Sequence, residues 1–157
     1  MTVITHARRK SRLASLIDSP GGVSVGVALD RARANIAGLR ARGLEEVARR
    51  TEELAAIPAP GDAAASGPAL QQVYRAAGHV IDAAAPFGLE EICAVAISLC
   101  DVVDRLSDGS VPDWRIIDVH IQSLRLLNAL PAEATEERNE VAGRLADMVA
   151  RKFPQAG

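Results

Sequence analysis

His79 is the residue of this sequence best suited to chemistry, because a neutral imidazole is a nucleophile near physiological pH. It follows Leu70 by nine residues, so on a helix it points ~180° away from that apolar position and faces solvent. Arg75 lies one turn earlier and can bind an anion such as a phosphoryl group. Asp82 lies three residues later and can orient the imidazole by accepting its second ring proton. The remaining members of this polar face are Gln71, Gln72 and Gly78.

The same pattern also fits an ordinary solvated helix face that carries a histidine without a function. Gly78 weighs slightly against that alternative, because a glycine in mid-helix is destabilising and usually has a structural reason. It either lets the backbone of a partner come close or makes tight contact with a neighbouring helix of the same protein.

The remaining candidate groups indicate no metal, no cofactor and no conventional active site. Cys93 and Cys100 are seven residues apart, ~10 Å along a helix, which is too far for a disulfide, so we interpret them as buried thiols. His6 and His120 are remote in sequence from His79. His120 follows Ile117 by three residues, which predicts packing at a helix interface with one ring nitrogen hydrogen-bonded.

The composition favours an all-α protein with one main domain. Of 157 residues, 48% are hydrophobic and only 3% aromatic, and β-branched runs are few. The net charge of -2 gives no general attraction to nucleic acid or to an anionic membrane. No stretch reaches the ~18 apolar residues of a membrane span, and the N-terminus lacks the apolar segment of a secretory signal. We therefore expect a cytoplasmic protein.

Apolar residues spaced three and four apart predict about five helices. The predicted helices are Ser24–Ala56, Pro68–Ala85, Leu89–Leu106, Trp114–Pro131 behind the N-cap Asp113, and Glu133–Phe153. Short connections predict an antiparallel up-and-down four-helix bundle over residues 24–157. We expect the first helix to be continuous; Gly38 and Gly43 disfavour it, and a bend or break near Gly43 is the alternative. The stripe predicted for that helix consists of Val25, Leu29, Ala32, Ile36, Leu39, Val47, Thr51 and Leu54.

Residues 1–23 form a predicted flexible arm, which is basic because it carries Arg8, Arg9, Lys10 and Arg12 against the single acid Asp18. Such an arm fits either contact with an acidic partner surface or simple solvation of its charges.

The run YRAAGHVIDAAAPFGLEEICAVAISLC, residues 74–100, resembles the active helix and the following helix of histidine-containing phosphotransfer (Hpt) domains, especially an alphaproteobacterial group. The matching residues are Tyr74, Arg75, Ala77, Phe87, Gly88, Ser98, Leu99 and Cys100. A weaker similarity extends over residues 25–57 and 119–127. The resemblance implies an Hpt-type bundle and a protein of two-component phosphorelays.

The sequence departs from the family where the family's chemistry lies. In an ungapped alignment, the phosphoaccepting histidine falls on Gly78, the following lysine on Ile81 and the following glycine on Asp82. His79 is one residue away, which corresponds to a rotation of ~100° around the helix. Arg75 can replace the positive charge of the lysine, whereas Asp82 repels a phosphoryl group.

Three hypotheses follow from the residues and the resemblance. In the first, a receiver domain, a sensor histidine kinase or both exchange phosphate with His79, and the chain is a phosphocarrier. In the second, the chain docks these partners without carrying phosphate. In the third, it is a structural helical bundle that forms a homodimer through exposed apolar side chains such as Val80, Val95 or Val102.

Overall fold

Helices make up the regular structure of residues 21–107 and 112–153, which the computed structural model describes. These residues contain no β-strand, and their six helices are α1 (Val25–Gly38), α2 (Arg40–Ala55), α3 (Ala63–Ala84), α4 (Glu90–Leu106), α5 (Trp114–Ala129) and α6 (Thr135–Lys152). A 3₁₀ turn, Ala85–Phe87, follows α3. The predicted all-α class is therefore confirmed for the described residues. The basic residues of the predicted arm, from Arg8 to Arg12, lie outside them.

The prediction of one continuous first helix is wrong, because the chain is divided at Leu39, four residues before Gly43. The backbone N–H of Leu39 donates to Ile36 O at 3.0 Å, one residue short of the α-helical partner, and this tightened turn separates α1 from α2. Gly38, a poor helix former, ends α1 directly before the break. Gly43 remains helical and is buried, because the ring of Phe87 lies against it.

Helix α1 exposes its apolar residues along its whole length. The chain divides into two compact units between Asn35 and Ile36, within this helix, and α1 has no buried residue. Only the α2 part of the predicted stripe, Val47, Thr51 and Leu54, is buried. The spacing of apolar residues identifies the apolar face of a helix, but it does not show whether the chain supplies a surface to cover it.

Helices α2 to α5 pack in a ring in which each contacts two neighbours, and α6 packs on α4 and α5. The start of α2 meets the turn after α3, where Arg40 donates to Phe87 O at 3.0 Å, so these two helices are antiparallel. A bidentate pair between Arg125 of α5 and Glu52 of α2, with N–O distances of 2.7 and 2.5 Å, closes the ring. Both ends of α6 are attached, by Arg138 and by Lys152, which pairs with Asp113 at 2.7 Å.

The core consists of side chains from all five of these helices. It includes the predicted positions Leu70, Ile92, Leu99, Ile117 and Leu124, each at most 3% exposed. The prediction that Val80, Val95 and Val102 are exposed is wrong, because all three are at most 1% exposed. α3 and α4 each lie between other helices of the ring, so they bury a wider arc than the single stripe assumed from the sequence.

Helix α3 begins five residues before its predicted start at Pro68. The side chain of Asp62 accepts a hydrogen bond from the backbone N–H of Ala65 at 2.8 Å and forms the N-cap. Pro68 therefore lies inside the helix, where its missing N–H removes one backbone hydrogen bond near the N-terminus. Helices α4, α5 and α6 begin and end within two residues of the predictions, and Asp113 caps α5 as expected.

A buried arginine joins α6 to α5. Arg138 is 5% exposed and donates to Leu127 O at 2.7 Å and to Leu130 O at 3.3 Å, carbonyl groups at the end of α5. Its second nitrogen lies 3.4 Å from a carboxylate oxygen of Glu91 on α4. The guanidinium thus satisfies helix-end carbonyls that lack intrahelical partners.

Replacement of Gly43 by alanine is expected to destabilise the protein by about 1–3 kcal/mol, the usual range for overpacking. A β-carbon at this position would lie 2.1 Å from Cε2 of Phe87, so the ring or the helix must move. Gly143→Ala in α6 is the matched control, because no atom lies within 4 Å of its added methyl group. Urea unfolding measures both effects, and a Gly43→Ala variant as stable as the wild type would contradict the packing described here.

Candidate functional site

The polar face predicted around His79 lies on the outside of α3. Gln71, Gln72, Arg75, His79 and Asp82 are all exposed, and Gly78 is half-buried. On the opposite side of the helix Val73, Ala77, Val80 and Ala84 are fully buried. The expectation that His79 faces solvent is therefore confirmed.

Two grooves border this face, and each is lined by two of its residues. The first, which we call the histidine groove, has a volume of about 260 Å³ and is lined by Glu46, Arg50, His79, Asp82 and Ala83 of α2 and α3. The second, which we call the tyrosine groove, has about 440 Å³ and lies between α3 and α4; its lining comprises Gln71, Tyr74, Arg75, Val103, Asp104 and Ser107. The structure therefore places Arg75 in a different groove from His79.

Neither of the partners expected for His79, Asp82 and Arg75, forms a hydrogen bond with it among the described residues. Among the described residues, no hydrogen bond joins Asp82 to His79, although the two side chains line the same groove. Arg75 donates to the backbone carbonyl of Gln71 at 3.3 Å, within its own helix. The cation that shares the groove with His79 is Arg50, which the sequence analysis did not consider.

A network of four charged residues on α2 includes Glu46 and Arg50, which line the histidine groove. Glu46 accepts from Nε of Arg49 at 2.9 Å and from Nε of Arg50 at 2.8 Å. Glu53 also binds both arginines, and Nη1 of Arg50 donates to it at 3.0 Å. Hydrogen bonds from Arg49 and then from Arg50 lower the pKa of the Glu46 carboxyl to about 2, so it is ionised at neutral pH. The alternation of Glu and Arg three and four residues apart is readable from the sequence, but its position beside His79 is not.

Gly78 is not required by the packing of the described residues. A β-carbon built on it has no atom within 4 Å, so the interpretation that it makes tight contact with a neighbouring helix is wrong. The other explanation, approach by a partner backbone, stays a prediction.

His120 is a buried structural residue, as the sequence indicates. It is fully buried; its Nδ1 lies 2.7 Å from Ile116 O and its Nε2 lies 3.1 Å from the hydroxyl of Ser98. Because a carbonyl only accepts, Nδ1 carries the proton in the neutral ring, and Nε2 accepts from Ser98. Both ring nitrogens have a hydrogen-bond partner, whereas the sequence predicted a partner for only one. Burial lowers the pKa of His120 below its ordinary value of 6.5, and the hydrogen bond with Ile116 acts in the opposite direction.

The two cysteines are free and half-buried on α4. Burial raises the pKa of both thiols, and nearby acidic residues, such as Glu90 beside Cys93 and Asp101 beside Cys100, raise it further. Neither thiol is activated as a nucleophile, and the predicted lack of a disulfide between them is confirmed.

No family model matches this chain, and no curated protein or solved structure shows significant similarity to it. Within residues 21–107 and 112–153, no helix combines the length and apolar character needed to cross a membrane.

Because His120 is buried as the neutral imidazole, the free energy of unfolding is expected to depend on pH. The unfolded chain protonates His120 near pH 6.5, whereas the folded protein does so only at lower pH. The contribution of His120 to the free energy of unfolding is therefore greatest above pH 6.5. It decreases as the pH falls below that value and becomes constant below the folded-state pKa. Nitrogen-detected NMR of the imidazole checks this directly. We expect an Nδ1–H tautomer that titrates below 6.5; a midpoint at or above 6.5, or an Nε2–H tautomer, would contradict it.

Proposed function

We propose that this chain is a two-component phosphorelay protein of the histidine phosphotransfer type, which docks response-regulator receiver domains, a sensor histidine kinase or both through the outer face of α3. The observation that supports the proposal best is the placement of His79. It is exposed on a long helix of a helical ring, in a groove large enough for a phosphoryl group and beside a cation.

The helix that carries His79 provides a rigid support. Ala77 and Val80, which flank Gly78 and His79 in sequence, are fully buried, so the helix cannot rotate without exposing the core. The imidazole is therefore presented at a fixed angle to solvent. A phosphate carrier needs little else, because positioning of the nucleophile relative to the donor supplies much of the rate.

The surface around His79 is exposed and carries both apolar and polar side chains, as a docking surface requires. Gly78 presents bare backbone, and Tyr74, one turn earlier, is 44% exposed. The thiol of Cys100 on α4 lies 3.9 Å from Tyr74 O, so in this antiparallel pair Ile97, which is 49% exposed, is about level with Gly78. Apolar contacts on the α4 side and polar groups on the α2 side are thus available to one partner.

In the carrier mode, a neutral ring nitrogen of His79 attacks the aspartyl phosphate of a docked receiver. The nitrogen–phosphorus bond forms as the bond from phosphorus to the aspartate oxygen breaks, and the carboxylate of the receiver leaves. In the regulator mode, the chain occupies the same receiver surface without accepting phosphate. Asp82, exposed in the same groove, favours the regulator mode because its charge opposes an incoming phosphoryl group.

A homodimer is the second candidate function, and one specific observation supports it. Several exposed apolar residues lie together on α1, including Val25, Leu29 and Ile36, each more than 40% exposed. An apolar helix face of this kind is a common dimer contact. The dimer proposed here therefore uses α1 and not the buried valines of α3 and α4.

Phosphotransfer from a panel of radiolabelled receivers and kinases tests the carrier mode. We expect acid-labile label on the wild type and none on His79→Ala, because no other exposed imidazole occurs among the described residues. No label on either protein, with receiver binding retained, supports the regulator mode. No binding to any receiver or kinase, together with a dimeric mass in solution, would contradict the phosphorelay proposal.

Gly78→Ala is expected to separate stability from docking. The variant should gain up to ~1 kcal/mol of stability, because alanine is the better helix former and its methyl group meets no atom. Receiver binding should weaken about tenfold, because the methyl group keeps the partner away from the helix. Gly143→Ala is the control, with a similar gain in stability and unchanged binding. Tighter or equal binding by Gly78→Ala would show that partners do not approach this glycine.

A further inference from the structure

We infer that Arg50 of α2 is the residue that binds a phosphoryl group on His79, an inference that rests on the carrier mode proposed above. Arg50 and His79 line the same groove from two adjacent helices. Arg75, the cation that the sequence places one turn from His79, lines the tyrosine groove on the other side of α3. The charge that a phosphoryl group needs is thus supplied by a different helix from the one that carries the nucleophile.

The ion pairs of Arg50 leave it free to change partner. Arg50 binds Glu46 at 2.8 Å and Glu53 at 3.0 Å, but Arg49 binds both of these carboxylates as well. If Arg50 turns towards His79, neither glutamate loses its last cationic partner. The side chain of Arg50 is 32% exposed, so part of it is accessible to a group in the groove.

A phosphoryl group on His79 is a stronger partner for Arg50 than either glutamate. It carries a charge between -1.5 and -2 and three acceptor oxygens, roughly twice the charge of a carboxylate. The planar guanidinium can donate two parallel hydrogen bonds to such a group. Without this cation the groove would hold the phosphoryl group beside the carboxylates of Asp82 and Glu46, and like charges disfavour that state. Arg50 therefore compensates the negative charge that the groove otherwise presents.

A small phosphoryl donor allows Arg50 to be tested without a protein partner. With phosphoramidate, a ring nitrogen of His79 uses its lone pair to form a bond to phosphorus, while the phosphorus–nitrogen bond of the donor breaks. The donor nitrogen, which is already protonated in the zwitterionic form of phosphoramidate, takes the electron pair of that bond and leaves as ammonia. The ammonia takes up the proton that the phosphorylated ring releases to solvent. No oxidant, reductant or metal-bound partner enters this balance.

The experiment measures the rate of phosphorylation and the lifetime of phosphohistidine by intact mass, with His79→Ala as the blank. We expect Arg50→Gln to be phosphorylated about tenfold more slowly and to lose the phosphoryl group faster, because a charge-assisted contact is lost. Arg50→Lys keeps the charge without the bidentate geometry and should fall between Arg50→Gln and the wild type. Arg75→Gln is the competing variant, and we expect it to be less affected than Arg50→Gln because Arg75 lines the other groove. Arg144→Gln, which changes an exposed arginine of α6, is the matched control and should remain within about twofold of the wild type.

The outcomes distinguish this inference from the proposal on which it rests. Labelling of Arg50→Gln at the same rate as the wild type would overturn the role of Arg50 and leave the carrier mode intact. A slow Arg75→Gln with a normal Arg50→Gln would assign the role to Arg75 instead. A wild type that is not labelled by the donor would overturn both the carrier mode and this inference. Thermal melting of each variant shows whether a rate change reflects loss of structure.

Discussion

One side of α3 is buried in the core, and this burial fixes which side chains of the helix face solvent. Val73, Ala77, Val80 and Ala84 are all fully buried between α2 and α4, and each valine contributes about 1.5–3 kcal/mol through loss of apolar surface from water. This burial sets the rotation of the helix, and the rotation decides that His79 and Asp82 face outwards. A one-residue change in register would turn these side chains by ~100° and bring polar groups into the core.

The position of α2 follows from a second, more local contact. Gly43 lets the Phe87 ring lie directly on the α2 backbone, and Arg40 binds the carbonyl of the same phenylalanine. Together these contacts hold the start of α2 against the end of α3. Glu46 and Arg50, one and two turns further along α2, therefore lie beside His79. The chemical character of the histidine groove thus depends on a glycine that carries no chemistry itself.

The spacing of apolar residues and the capping residues of single helices were sufficient to predict much of the fold. Helices α4 to α6 have strong periodicity and clear boundaries, such as the Asp113 cap, and their limits agree with the sequence to within two residues. The outward position of His79 also follows from helical phase alone. The errors arise where tertiary contacts or competing caps decide the outcome. Asp62 caps α3 ahead of the expected proline, and a tightened turn at Leu39 ends α1 four residues before Gly43.

The candidate site was predictable only in part, for a related reason. Residues on one helix can be assigned to a face from their spacing, which identified Arg75, His79 and Asp82 together. Which neighbouring helix borders each side of that face depends on the order of helices around the ring. For this reason Arg50, distant in sequence, shares the groove of His79, whereas Arg75, on the same helix, does not.

The most direct test of the account is to map receiver docking by NMR, using backbone amide shifts of the full chain as receiver domains are added. We expect shifts concentrated on the outer face of α3, around Arg75, Gly78, His79 and Asp82, with smaller shifts near Arg50 on α2. Shifts confined to α1 or α6, or none with any receiver, would contradict the claim that the outer face of α3 is the functional surface of this protein.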